Sequence, residues 1–226
     1  VTEIFLQRTA SQEGDFRIKF CYISSTARGP KMAVLEVLKY PDPRLREISQ
    51  PVEKFGPEIQ KLAENMLETM YAENGIGLAA PQVGELVRML VIDTRPRDTK
   101  GRYEKNDMAE LEAHIAQPLV IINPVIIKGE GETTFSEGCL SVPSFFEDVD
   151  RFERIELQYQ DVTGKKITMK TDGLLAICIQ HEMDHLEGTL FIDHLSFIKS
   201  NKIKNTIKKH GYPEKKTEEE KEELKV

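Results

Sequence analysis

From Pro57 onward the apolar positions Ile59, Leu62, Ala63, Met66, Leu67 and Met70 recur at i, i+3, i+4, i+7, i+8 and i+11, the period of an amphipathic helix. Pro57 suits the first turn of that helix and Asn74-Gly75 its stop. Two apolar runs, 88–93 and 119–123, read as buried strands, with the polar stretch 94–118 between them as a surface excursion. A short helix is predicted around 109–116, and His114 within it should face water. Ile155, Leu157 and Tyr159 alternate with polar neighbours, as do Ile167 and Met169, and the turn residues 161–164 join them into an antiparallel hairpin. A second helix follows, with Thr171 or Asp172 as candidate N-cap and Gly188 as stop. In it Leu174, Ile177, Cys178, His181, Glu182 and His185 form one inward stripe. Leu195, Ile198, Ile203 and Ile207 give the tail a partial helical stripe. Periodicity therefore supports an α+β mixture and no more.

With 226 residues, 39% hydrophobic and 31% charged, the chain has room for one packed domain plus tails. Residues 1–31 carry no clear period and are treated as an N-terminal extension: a tag, a leader or an extended terminus. Arg8, Arg17 and Arg28 among serines and threonines have an organelle-targeting flavour, which Glu3, Glu13 and Asp15 spoil. The packed domain is expected over 32–210, and 211–226 as a charged, disordered tail. No apolar run approaches the roughly 18 to 20 residues that a membrane span needs, so a cytoplasmic protein is expected, with an organelle as the alternative if 1–31 is a targeting segment. The formal charge of −7 gives no reason to expect specific nucleic-acid recognition. Locally the balance reverses, because residues 199–216 hold seven lysines and one glutamate. Three cysteines, Cys21, Cys139 and Cys178, are too few and odd in number for a disulfide framework.

The chemistry concentrates in His181-Glu182-Met183-Asp184-His185, where a spacing of four stacks both imidazoles on one helical face, ready to share a metal. An open catalytic metal site usually takes three protein ligands, and Cys139 in Glu137-Gly138-Cys139-Leu140-Ser141 offers the third. Two imidazoles and a thiolate suit Zn or Fe(II), and Glu182 is placed to take the proton of an activated water. The glycine-rich stretch 75–84 lacks the strand before, helix after and lysine of a phosphate cradle; it reads instead as a loop that lets a substrate backbone approach. Its Gln82 can donate to an oxyanion alongside a backbone N–H near Cys139.

GIGLAAPQVG, EGCLS and QHEMDHLEG, in this order, make the chain resemble the peptide deformylase family, over about residues 32–210. The resemblance implies an α+β fold: antiparallel sheets surrounding a central metal-bearing helix, with N-terminal and C-terminal helices. It implies Cys139, His181 and His185 as ligands of one divalent metal, Fe(II) natively with Zn, Ni or Co substituting, and Glu182 as general acid/base. Gln82 and the Leu140 backbone N–H would support the oxyanion. The reaction implied is removal of the formyl group from the N-formylmethionine of new polypeptides, releasing formate, by attack of a metal-bound hydroxide.

By the same resemblance Ile76, Gly77, Leu174, Ile177 and Cys178 wall the methionine pocket, although Leu174, Ile177 and Cys178 would also suit a plain core. Glu137 and Arg151 are read as a supporting polar layer around the ligand loop and Asp184 as steadying the helix end or an imidazole, with simple surface ion pairing as the alternative for all three. After Pro143 the chain departs from the common family pattern: Ser144 replaces a frequent glycine and Phe145-Phe146 follow, so the rim of the groove should differ. The basic C-terminal helix resembles a ribosome-docking element, with a helix packed on its own domain as the alternative. Two other readings remain open on residues alone. A zinc metalloprotease would draw a third ligand from Glu187 or His194, and a ribosome-associated binding protein would hold a structural metal.

Overall fold

Residues 33–96 and 108–212 are described by the computed structural model. The N-terminal extension, nearly all of the charged tail and the middle of the 94–118 excursion lie outside them. In chain order the elements are α1 (Pro57–Ala72), β1 (Gly77–Ala79), β2 (Met89–Ile92), β3 (Leu119–Glu130), β4 (Thr133–Cys139), β5 (Val142–Arg151), β6 (Arg154–Gln160), β7 (Lys166–Asp172), α2 (Gly173–Leu186) and α3 (Phe197–His210). Every strand pairing is antiparallel: β1-β2-β3-β6-β7 form one sheet, and β4-β5 a separate hairpin. The α+β architecture around a central helix is the one expected.

The first helix obeys its period. It buries Ala63, Met66 and Met70 against β1 and β2 and ends at Ala72, with Asn74 in the left-handed region (φ 58°) turning the chain toward Gly75. β2 and the β6–β7 hairpin also fall where alternation placed them. β3 continues seven residues past the apolar run, to Glu130, because shifts in its register with β6 carry the strand through Pro124. The β4–β5 hairpin was not anticipated, since the polar residues of its strands leave neither with a continuous apolar face.

The central helix differs from the expected single stripe. Ten of the fourteen residues of α2 are buried: Leu175, Ala176, Ile179 and Leu186 face the sheet, while Leu174, Ile177, His181 and Glu182 face a cavity. Neither candidate N-cap acts as one through its side chain. Asp172 accepts instead from the N–H groups of Leu111 and Glu112, and Glu112 caps α2 from outside by accepting from Leu174 N–H at 3.1 Å. The helix predicted around 109–116 is a short 3-10 turn, Glu112–His114, which delivers that cap.

The C-terminal helix α3 is packed, through Ile203 and Ile207, against Val142, Phe191 and Ile192. Ile198, assigned to its apolar stripe, is instead 80% exposed beside Phe197 at 82%, so the buried stripe is narrower than the sequence implied. Lys199 pairs with Glu147 and Lys204 with Asp193, which neutralises part of the helix's charge. No helix among the described residues is long and apolar enough to cross a membrane.

Candidate active site

Three elements converge on one point. β4 ends at Cys139, α2 supplies His181 and His185, and the segment after α1 supplies Gly75, Ile76, Gly77 and, in the following 3-10 turn, Gln82. One ligand atom each from Cys139, His181 and His185 lies within 4.8 Å of the others. The Cys139 Sγ stands 3.3 Å from His185 Nε2. His181 turns its Nδ1 to Glu137 Oε2 at 2.8 Å, which leaves Nε2 for the cluster.

Behind the cluster Glu137 and Arg151 are buried and Asp184 is half-buried, and the three are joined in one network. Arg151 Nε and Nη2 donate to Glu137 at 2.7 and 3.0 Å, and Nη1 donates to Asp184 Oδ2 at 2.7 Å. His194 Nε2 meets the same Asp184 oxygen at 2.7 Å. The chain of contacts from Asp184 through Arg151 and Glu137 to His181 therefore fixes the orientation of the ligand's ring. Phe191 stacks on the His181 ring, with centroids 6.2 Å apart.

In front of the cluster Gln82 is pinned at both ends of its amide. Oε1 accepts from Ala79 N–H at 2.8 Å, and Nε2 donates to Ser141 Oγ at 3.2 Å and lies 3.5 Å from Cys139 Sγ. Ser141 N–H also points at that sulfur, at 3.4 Å. Leu140 occupies the tight turn between β4 and β5, next to Cys139, and lines the cavity. Ser141 and Phe191 were not singled out in the sequence. Ser141 stood inside a quoted motif, but no spacing rule marks a serine that orients an amide.

Glu182 is buried on the cavity side of α2, and a Cβ placed on Gly77 would lie 2.4 Å from its Oε1. Burial pushes the Glu182 carboxyl up to about 7, against the pull of His181 and His185. Burial likewise raises Cys178 well above an ordinary thiol, with Glu182 adding to the effect, so this sulfur is an inert wall atom. Cys139 goes the other way: burial would raise it, but His185 and His181 outweigh burial and favour the thiolate. His181 is raised despite burial, because the Cys139 and Glu137 anions call for positive charge between them. Glu182 Oε2 and His185 Nδ1 are buried with no hydrogen-bond partner among the described residues. A thiolate and two imidazoles converging in an anionic, buried pocket with partnerless polar atoms fit a divalent cation.

The cavity of about 430 Å³ opens from this cluster to the surface. Ile76, Gly77, Leu174, Ile177 and Cys178, the five residues expected to wall it, all line it. Glu187 and His194, the ligands a metalloprotease reading would need, are engaged elsewhere, by Arg88 and Asp184.

A buried helix bearing two imidazoles and a carboxyl, met by a strand-borne thiol at the end of an apolar cleft, has the donor set of a metallohydrolase. Residues 34–201 match the polypeptide deformylase family. The chain is 47% identical over 178 residues to the peptide deformylase of Alkalilimnicola ehrlichii, covering 79% of this chain and 91% of that protein. With the enzyme of Erythrobacter litoralis it shares 48% over 189 residues, 79% and 97% of the two chains. The crystal structure of peptide deformylase from Ehrlichia chaffeensis in complex with actinonin superposes with a TM-score of 0.69 at 41% identity, over 80% of this chain and all of that one. The Legionella pneumophila enzyme gives 0.67 at 39%, over 78% and 95%. The chain belongs to the polypeptide deformylase family, metal-dependent hydrolases that take the formyl group from the N-termini of newly made peptides.

Proposed function

We propose that this chain deformylates N-formylmethionyl peptides with Cys139, His181 and His185 holding one divalent metal and Glu182 moving the protons. The observation that carries the reading is the convergence of these three ligand atoms beside a buried carboxyl whose proton affinity is raised to about 7. A divalent cation at this cluster supplies Lewis acidity, making water acidic enough to serve as a nucleophile near neutral pH.

The chain's own groups do the rest. β1 is an edge strand of the large sheet and β4 has a free edge in its hairpin, so an extended peptide can hydrogen-bond between them. Gly77 has no side chain to block that approach. Leu174, Ile177 and Cys178 receive the methionine side chain, with Ile76 and Gly77 opposite. As the water oxygen bonds to the formyl carbon, Glu182 takes its proton. Gln82 Nε2 and the Leu140 N–H donate to the oxygen that gains charge. The carbon–nitrogen bond then breaks, and Glu182 passes the proton to the departing amine, leaving formate and a free N-terminus. Formyl carries only hydrogen on its far side, so a narrow site admits it and excludes bulkier acyl groups.

The donor set takes Fe(II), Zn, Ni or Co, and Fe(II) is the native metal in this reading. α3 exposes Phe197, Ile198 and lysines such as Lys202 that have no acidic partner among the described residues, which supports contact with the ribosome. The enzyme would then work in the cytoplasm, or in an organelle if 1–31 is a targeting segment. The test is formate release from a formyl-Met peptide by anaerobically purified protein, with metal measured on the same sample. Release that Glu182→Gln abolishes while metal stays bound is expected; no release from fully metallated wild type overturns the assignment.

A further inference from the structure

The 94–118 excursion reads as a surface feature in the sequence, yet both of its ends are buried beside the cleft. Thr94 and Glu112 are 3% and 2% exposed, and Asp93, just before the excursion, is fully buried. Thr94 Oγ1 donates to Glu112 Oε1 at 2.5 Å, and Thr94 N–H donates to Gln117 Oε1 at 2.7 Å, so the two ends are fastened to each other. Glu112 then reaches α2. Its second oxygen, Oε2, accepts from Leu174 N–H at 3.1 Å, while Asp172, the residue before α2, accepts from Leu111 N–H and Glu112 N–H, each at 3.1 Å. Each segment's carboxylate thus serves the other's first amides. Gly173 makes the approach possible: its φ is +60°, and an added Cβ would lie 2.5 Å from Ala109 Cβ and 2.8 Å from Glu112 Oε2.

The helix turn held in this way carries Leu174, which lines the apolar cleft. The opposite wall is tied to the same place. Ile76 O accepts from Asp93 N–H at 2.8 Å, and Asp93 is the neighbour of Thr94 in the chain. The Asp93 carboxylate accepts in turn from the Tyr71 hydroxyl at 2.8 Å, at the end of α1. A continuous route therefore runs from Ile76 through Asp93 and Thr94 to Glu112 and Leu174, joining the two walls behind the cleft. Burying a carboxylate costs free energy that an apolar side chain would not. Glu112 supplies direction in exchange: an apolar residue could fill its place but would hold neither Thr94 nor the Leu174 amide.

We propose that Glu112, held by Thr94, is a positioning residue that fixes the spacing between Leu174 and Ile76 and so sets how strongly the enzyme prefers methionine to a shorter N-terminal side chain. The inference rests on the deformylase reading, in which these two residues receive the methionine. His181 and Glu182 lie about two turns further along α2, so the reacting groups keep their places when the first turn shifts. One methylene's worth of apolar contact changes discrimination by at least about tenfold. A short side chain that does not reach the walls gains nothing from their spacing.

The experiment measures kcat and KM on formyl-Met-Ser and formyl-Ala-Ser peptides, with metal content and thermal unfolding on each sample. Glu112→Ala should lower the Met-over-Ala ratio of kcat/KM by at least about tenfold, through KM for the methionyl peptide, with metal content and the alanyl peptide's kcat near wild type. Thr94→Val, which leaves Glu112 in place but loosens it, should lower the ratio about threefold. Glu112→Gln should keep the wild-type ratio, because its amide nitrogen can donate to Thr94 Oγ1 while its oxygen accepts from Leu174 N–H. Ile203→Ala, in the separate core under α3, should lower stability and leave the ratio alone. An unchanged ratio in metallated Glu112→Ala, an equal loss on both peptides, or a Glu112→Gln protein that falls as far as Glu112→Ala overturns the inference while formate release still supports the deformylase. If Glu112→Ala does not fold, Thr94→Val decides by the same criteria. No release from fully metallated wild type overturns the deformylase reading itself, and this inference with it.

Discussion

Replacing Gly77 by alanine places a Cβ 2.4 Å from Glu182 Oε1, 2.7 Å from Cys178 Sγ and 2.9 Å from Glu182 Cδ. Ordinary van der Waals contact begins near 3.4 Å, so the carboxyl must retreat by about 1 Å. Glu182 borders the cavity, so its carboxyl yields by turning into that space and leaving its present place. The backbone at Gly77 is not left-handed, so the whole penalty is steric. Overpacking of this size costs about 1–3 kcal/mol of stability. A misplacement of about 1 Å at a reacting group costs on the order of 10²-fold in turnover. The ligand atoms are untouched, so metal content should stay near wild type. The assay is kcat and KM for a formyl-Met peptide alongside metal analysis and thermal unfolding. Gly77→Ala/Cys178→Ala, which removes the clash with sulfur but not that with the carboxyl, should recover stability without recovering kcat. Wild-type kcat in a folded, metallated Gly77→Ala protein would refute the argument that this glycine exists to seat Glu182.

Three further outcomes follow from the geometry. Arg151→Met leaves Glu137 and Asp184 without their shared cation and should destabilise by about 3–5 kcal/mol while weakening metal retention about 10- to 100-fold, measured by denaturant unfolding and chelator competition. Glu112→Ala removes the cap on Leu174 N–H and a partner of Thr94, and should cost about 1–2 kcal/mol in urea unfolding. Burial raises the Asp193 carboxyl, but bonds from Arg46, Leu190 N–H and Lys204 outweigh burial and hold it at about 2, below its ordinary 3.8. A depressed carboxylate stabilises the fold above its unfolded pKa and loses that contribution as pH falls through its folded one. After solvent screening, Asp193→Asn should be less stable than wild type by about 1–2 kcal/mol at pH 5, and the gap should close by pH 2.

The sequence announced those parts of the molecule whose chemistry needs a fixed spacing. Two histidines four apart must share a helical face, and α1 could be read from its period because one side of it meets water. α2 misled for the opposite reason: a helix buried nearly all round has no polar side to define its stripe, and only the structure separates the face toward the sheet from the face toward the cleft. The β4–β5 hairpin was hidden because exposed Phe146 stands outward where alternation expects a polar residue, while Glu137 and Arg151 are buried where it expects apolar ones. The roles of Arg151 and Glu112 were illegible for want of any local signature. Each acts across a long gap in the chain, Arg151 on Glu137 and Asp184, Glu112 on the first turn of α2. Asp172 looked like a helix cap on local grounds and lost that role to tertiary contacts.

Because α2 is at once the scaffold of His181, Glu182 and His185 and the spine of the main hydrophobic cluster, its amides should be among the last to exchange with deuterium, opening only when the whole domain opens. Local breathing then cannot distort the reactive groups one at a time: the population of competent sites tracks the population of folded molecules. Substitutions around this spine, on the β4–β5 hairpin or the outer face of α3, should therefore leave the helix and its reactive groups intact.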